Sequence, residues 1–240
     1  MYKSYLKIGW RNLLKSKGYS LINIGGLATG MTVGMFIGLW INDEVSFNKY
    51  HQNYNDIAQV WGGGTDPETG EIGGFYAIQY PVTTTLKSNY VQYFRDVLMA
   101  WHAGSHTVSY GDNKFNKTGL FIEAGAPEML SLEMLKGTYA SLNSPHSIIL
   151  SESAAIAIFG DDDPINNTLK IDGRMDVTVT GVYEDIPANN RFSEVEFFAP
   201  WSLFVLTNEW VHRAEADWDN RPFNIYVQIQ PTTSFEAVDA

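Results

Sequence analysis

Few side chains in this chain are spaced for chemistry, and every candidate set is missing a member. His102 and His106 stand four apart, the spacing at which a helix offers two imidazoles to one metal ion, but WHAGSH interrupts helical propensity and no acidic ligand follows. Asp161, Asp162 and Asp163 suggest a calcium loop without its later ligating Glu, so a solvated turn is the better reading. Ser151 in LSESA is outside a nucleophile-elbow context and has no His and acid pair placed beside it. The glycine-rich run GGGTDPETGEIGG, residues 62 to 74, lacks the Gly-Lys-Ser/Thr ending of a phosphate loop and reads as an exposed hairpin loop. Asn116-Lys-Thr118 and Asn166-Asn-Thr168 have glycosylation spacing, a weak signal when the host is unknown. The expectation is a chain with no catalytic set, no nucleotide-binding motif, no metal site and no cofactor.

Two other patterns carry more. Gly26, Gly30, Gly34 and Gly38 recur every four residues, which in a helix makes one ridge without side chains on which another helix can pack closely. Lys7, Arg11 and Lys15 follow the same interval and form a basic stripe suited to anionic lipid. The glycines lie in residues 19 to 41, YSLINIGGLATGMTVGMFIGLWI, a run of 23 residues with no charge. At about 1.5 Å per residue, the 21 steps from Tyr19 to Trp40 span roughly 32 Å, against ~30 Å of bilayer hydrocarbon. This is a transmembrane helix with an aromatic residue at each interface. The basic stripe belongs to residues 2 to 17, an amphipathic helix with Tyr2, Leu6, Trp10 and Leu13 on its apolar side, and Gly18 offers a bend into the span.

Charge orients this arrangement. Residues 1 to 18 hold five Lys and Arg and no acid, so of the net −11 they carry +5 and the remainder −16. Basic residues collect on the cytoplasmic side of a span, which places the N-terminus inside and residues 42 to 240 outside. A signal peptide has a shorter apolar region ending at small residues, whereas this one ends in LWINDE, so the helix is expected to be retained. With 240 residues, 45% hydrophobic, there is material for a large core. The absence of cysteine means that core is held without disulfides. An acidic outer domain argues against nucleic acid as a partner.

Along the outer region the pattern predicts a strand over 57–61, a helix over 81–94 opened by Pro81 with Val82, Leu86, Val91 and Phe94 inward, and strands near 97–101, 107–110 and 114–122. Residues 127 to 135 look helical. Ser147 to Leu150 reads as a strand, Ser151 as a cap, Ala154 to Phe159 as a helix and Gly160 as its stop. Thr168 to Ile171 and Met175 to Tyr183 form a hairpin. A three-residue loop sets Ile171 opposite Met175 and Leu169 opposite Val177, keeping apolar residues on one face. Trp61, Trp101, Trp201, Trp210 and Trp218 are expected mostly in core or interface positions, some of them able to line a binding groove. A strand over 223–229 and a helix beginning at Ser234 close the chain, and the pattern reads as a fragment cut within that last element.

These residues resemble a known family. WRNLLKSKGYSLINIGGLATGM is similar to the start of MacB-like and FtsX-like ABC transporter permeases. IILSESAAIAIFGDDDPINNTLKIDGRMDVTVTGVYEDIPANNRF resembles their periplasmic core domain in its Ser-Glu, Phe-Gly, Asp-Pro, hairpin and Gly-Val order, and SFNKYHQNY resembles the segment after the first helix in members from the Bacteroidetes. The resemblance implies an α+β architecture: one N-terminal transmembrane helix, then a mixed α/β extracytoplasmic domain of the MacB core type. Its parts are a cytoplasmic basic helix over 1–18, the span over 19–41 and a periplasmic domain over 42–240. It implies an inner-membrane permease, a cytoplasmic ABC ATPase partner, a permease dimer, a periplasmic or outer-membrane partner, and export by mechanotransmission. The alternative is a single-pass anchored sensor or ligand-binding protein.

Overall fold

The computed structural model describes residues 2–65, 68–70 and 72–238, with the side chains of residues 2–4, 6 and 72 outside the description. It divides into two compact units, Met1–Phe47 and Asn48–Ala240. In the first, α1 (Tyr2–Lys15) and α2 (Lys17–Val45) are separated at Ser16, with φ −117° and ψ 63°. The break is therefore at Ser16, not at Gly18, which lies inside α2. Ser16 turns both its hydroxyl (3.1 Å) and its N–H (3.3 Å) back to the carbonyl of Asn12. Such local bonding by serine bends helices. The apolar positions Tyr2 and Leu6 lie outside the described side chains, while Trp10 and Leu13 are exposed on α1.

Helix α2 buries none of its described side chains. It is long and apolar enough to cross a membrane. An all-round apolar helix needs an apolar surrounding.

The second unit is built on a ten-stranded sheet. In chain order come β1 (Ile57–Gln59), β2 (Gly62–Thr65), β3 (Ile72–Phe75), α3 (Tyr80–Asn89), β4 (Phe94–Ala100), β5 (Gly104–Tyr110), β6 (Asn113–Ile122), α4 (Ala126–Met129) and β7 (Met134–Lys136). A 3-10 turn (Tyr139–Leu142) leads to β8 (Ser147–Ser151), α5 (Glu152–Phe159), β9 (Thr168–Ile171), β10 (Met175–Tyr183), β11 (Phe197–Pro200), α6 (Trp201–Thr207), α7 (Trp210–Ala214), β12 (Asn224–Ile229) and α8 (Phe235–Val238). The order is β1-β12-β4-β6-β11-β8-β10-β9-β5, and β5 pairs back onto β6, so six strands close on themselves while β4, β12 and β1 extend from β6. β7 pairs with β10, and β2 and β3 form a separate two-stranded sheet.

Alternation along the central strands explains this layering. Phe121, Ile148, Leu150, Phe197 and Ala199 enter one core with Trp201 and Phe204, while Leu120, Ile122, Ile149 and Phe198 enter a second with Tyr183 and Phe192. A smaller third cluster lies where Ile225, Val227 and Ile229 meet Ile78, Phe94 and Val97. β8 and β11 are buried along their whole length, which accounts for the continuous apolar runs SIILS and FFAP. Trp101, Trp201, Trp210, Phe204 and Phe223 pack together, with Trp210 and Phe223 stacked at 7° and 5.7 Å. Trp61 and Trp218 are exposed instead.

Several local expectations hold. The hairpin pairs Met175 with Ile171 and Val177 with Leu169 around a three-residue loop. The Ser151 hydroxyl accepts from the N–H of Ala154 at 3.2 Å and caps α5, which ends at Gly160 with φ +62°. Others shift. α3 stops at Asn89, leaving Val91 exposed and giving Phe94 to β4. The predicted helix over 127–135 is cut to α4, Ser131 adopts φ +50°, and residues 134–136 become β7.

The glycine-rich run is itself paired: Gly62 faces Phe75 and Gly64 faces Gly73. The Phe75 ring covers Gly62, and a Cβ on Gly74 would come within 2.8 Å of the Trp61 ring, so aromatic cover replaces the missing side chains. Asp66, Pro67 and Glu71 of this run lie outside the described residues.

The tightest glycine is Gly119 on β6, where an added Cβ would overlap the Phe197 ring. Gly119→Ala should lower outer-domain stability by about 1–3 kcal/mol, read as a shifted denaturant midpoint. Gly63→Ala, where a Cβ meets nothing within 4 Å, should move it by well under half as much.

Candidate functional site

The residues 48 to 56 that follow α2 are polar and aromatic, NKYHQNYND, and supply little aliphatic surface to bury. They are held by hydrogen bonds instead. Asn48 takes φ +62°, a conformation asparagine tolerates better than most residues. Its N–H donates to the carbonyl of Asn189 (2.9 Å), and its Oδ1 accepts from the N–H of Arg191 (2.9 Å). The 189–192 loop is thus gripped through its backbone. Tyr183, buried at the end of β10, steadies the same loop by donating its hydroxyl to the carbonyl of Val195 at 2.7 Å.

Three residues on, His51 is only 4% exposed. Its Nδ1 faces the carbonyl of Leu130, and its Nε2 lies 2.9 Å from Nδ2 of Asn190. Asn190 is itself buried, and its Oδ1 accepts from the N–H of Phe192 at 2.8 Å, which leaves the amide to donate to His51. His51 is therefore the neutral imidazole with its proton on Nδ1. Burial pushes its pKa below the ordinary 6.5, against a smaller opposing effect of its hydrogen bonds. Asn53 completes the contact by donating to the carbonyl of Met129 (3.4 Å) and the hydroxyl of Ser131 (3.2 Å). The carbonyls of Met129 and Leu130 close α4, where intrahelical partners run out. The distant segment thus satisfies carbonyls left open where the chain departs from the helix at Ser131, φ +50°.

Asn48, His51, Asn53 and Asn190 form a latch that joins the start of the outer domain to its second core. Its chemistry is positional: it fixes a segment and offers no nucleophile or paired acid and base. Sequence reasoning missed it because the partners are 139 residues apart for His51 and Asn190. The one local signal is the density of Asn in both SFNKYHQNY and ANNRF.

The residues singled out by spacing are elsewhere. Gly26, Gly30, Gly34 and Gly38 lie on α2, and a Cβ on any of them would meet nothing within 4 Å among the described residues. Lys7, Arg11 and Lys15 are exposed on α1. His102 sits in the β4–β5 connection and His106 on a strand, so they do not share a helix face; His106 Nδ1 pairs with Asp172 at 2.7 Å. Asp163 pairs with Lys136 at 2.8 Å.

The latch predicts a pH response. Because folding depresses the His51 pKa, the unfolded chain binds more protons in the interval between the two values, and stability rises with pH there. The contribution is complete above about pH 6.5 and is lost as pH falls through the folded value. The slope of the denaturant midpoint between pH 7 and pH 5 should be shallower in His51→Gln. Asn190→Ala, which strands two buried partners, should cost about 1–3 kcal/mol at pH 7.

Comparison with known proteins places this architecture. The family described as MacB-like periplasmic core domain matches residues 20–240. Among solved structures, the chain is similar to a domain of a protein assigned as a permease from Porphyromonas gingivalis, with 21% identity, 79% of each chain covered and a TM-score of 0.63. It is similar to the periplasmic region of MacB from Actinobacillus actinomycetemcomitans at 19% identity, covering 78% of this chain and 80% of that one, with a TM-score of 0.55. The extracellular domain of the noncanonic ABC-type transporter YknZ from Gram-positive bacteria gives 18% identity, 73% and 84% coverage and 0.51. No curated protein matches the chain.

Proposed function

Since the chain belongs to the MacB-like periplasmic core domain family, we propose that it is a permease subunit of an ABC transporter that delivers ATP-driven movement from a cytoplasmic ATPase to its outer domain for export. Supporting this is the short path from rod to body: α2 ends at Val45, and Asn48 is already hydrogen-bonded to the 189–192 loop. Only Ser46 and Phe47 intervene, so a displacement of the rod has two residues in which to dissipate before it reaches the hydrogen bonds of half-buried Asn48. The chain supplies no nucleotide chemistry in this scheme; hydrolysis belongs to the partner subunit.

The basic α1 stays in the cytoplasm against anionic lipid through Lys7, Arg11 and Lys15, and the acidic body is periplasmic. Gly26, Gly30, Gly34 and Gly38 form the face on which α2 packs against a neighbouring span or a second copy, because close backbone approach replaces the hydrophobic drive that lipid removes. A periplasmic or outer-membrane partner receives the movement.

Affinity purification of the full gene product from its host membranes should recover an ABC ATPase; recovery of none would remove this reading in favour of an anchored sensor. In the purified complex, inserting six Gly-Ser residues between Phe47 and Asn48 should preserve ATP hydrolysis and outer-domain thermal stability. The same insertion should abolish the ATP-dependent distance change between spin labels on the outer domain. Gly30→Ile should weaken helix association in membranes, roughly tenfold by cross-linking yield for a loss of about 1.4 kcal/mol, with no change in outer-domain stability.

A further inference from the structure

Beneath the latch lies a cavity of about 200 Å³, walled by Tyr54, Ile57, Phe192 and Tyr226 and bordered by His51 and Arg191. Its walls are mostly ring and aliphatic carbon. Its polar border is largely committed: both nitrogens of His51 are bonded, Asn48 Oδ1 holds the Arg191 backbone, and Gln59 Nε2 donates to Asn224 Oδ1 at 3.1 Å. Arg191 differs. Among the described residues its guanidinium makes no ion pair with an acid. It is held over the Tyr76 ring at 5.4 Å and lies close enough to Tyr226 to oppose the rise that burial gives the phenol's pKa. An exposed planar cation, stacked on Tyr76, thus stands at the mouth of a largely ring-walled cavity with no acid paired to it among the described residues.

We infer that this cavity is a binding site for a small carboxylic acid with a ring or branched apolar body, the carboxylate on Arg191 and the body between Tyr54, Phe192 and Tyr226. The guanidinium fork matches a carboxylate, and the ring and aliphatic carbon of the walls matches an apolar body. A single cation suits a monoanion better than a phosphate dianion. The walls come from both the latch segment and the core, so an occupant binds only while the segment is docked and therefore favours the docked state. Occupancy requires neither an ATPase nor an exported substrate.

Phenylacetate and its neutral isostere phenylacetamide, titrated calorimetrically into the full chain in nanodiscs against empty nanodiscs, test the assignment. Phenylacetate should bind saturably, and the amide at least tenfold more weakly. Arg191→Gln, with thermal unfolding checked, should lose phenylacetate to the same degree. At a concentration ten times the dissociation constant, hydrogen exchange of amides in residues 48–56 should slow about tenfold. Equal binding of acid and amide, no saturable binding of phenylacetate, undiminished binding to a folded Arg191→Gln, or protection confined to another region would each overturn it. Should Arg191→Gln not fold, the comparison of acid with amide on the unaltered chain decides.

Discussion

A polar segment that enters a protein interior has to bring its hydrogen-bond partners with it or find them there. Residues 48 to 56 are such a segment, and the pairing of His51 with Asn190 and Leu130 is what allows them to lie against the second core. Each group in that chain is used once: imidazole N–H to carbonyl, amide to imidazole nitrogen, amide oxygen to backbone N–H. A buried network of this kind specifies one arrangement, because any slip leaves several groups unpaired in low dielectric. Its neutral histidine also makes the arrangement sensitive to acid.

The latch shapes more than its own segment. It satisfies the carbonyls of Met129 and Leu130 at the end of α4, after which residues 134–136 pair as a strand with β10. By holding the backbone of Arg191 through Asn48 it fixes the base of the one cation bordering the cavity below. The latch segment and the small cavity therefore share residues, Asn48 and His51 among them.

Glycine serves two opposite ends in this chain. On α2 it leaves a row of positions where an added Cβ would meet no described atom within 4 Å. In β2 and β3 it leaves room for the Phe75 and Trp61 rings to lie across the strands, and there the space is already filled. Composition treats the two runs alike. Periodicity separates them: every fourth residue on a helix, consecutive positions in a hairpin.

How much was legible depends on the range of the forces involved. The apolar span, the cap and stop of α5, and the three-residue hairpin with Ile171 opposite Met175 were readable in the sequence, since each follows from periodicity or from bonds between near neighbours. The resemblance of the SES to NNRF stretch to a permease core domain was readable too, and the family match bears it out. Left to the tertiary structure were the parallel pairing of β6 with β11, the closure of the sheet through β5, the early end of α4 and the joining of His51 to Asn190. These depend on which surfaces meet after 63 (Val108 to Ile171) to 139 (His51 to Asn190) residues of chain have been folded between them, and no local preference encodes that meeting. Local sequence was enough to mark an apolar helix and a mixed α/β body; only three-dimensional packing decided how that body holds its own residues 48 to 56, because the bonds that hold them join residues far apart in the chain.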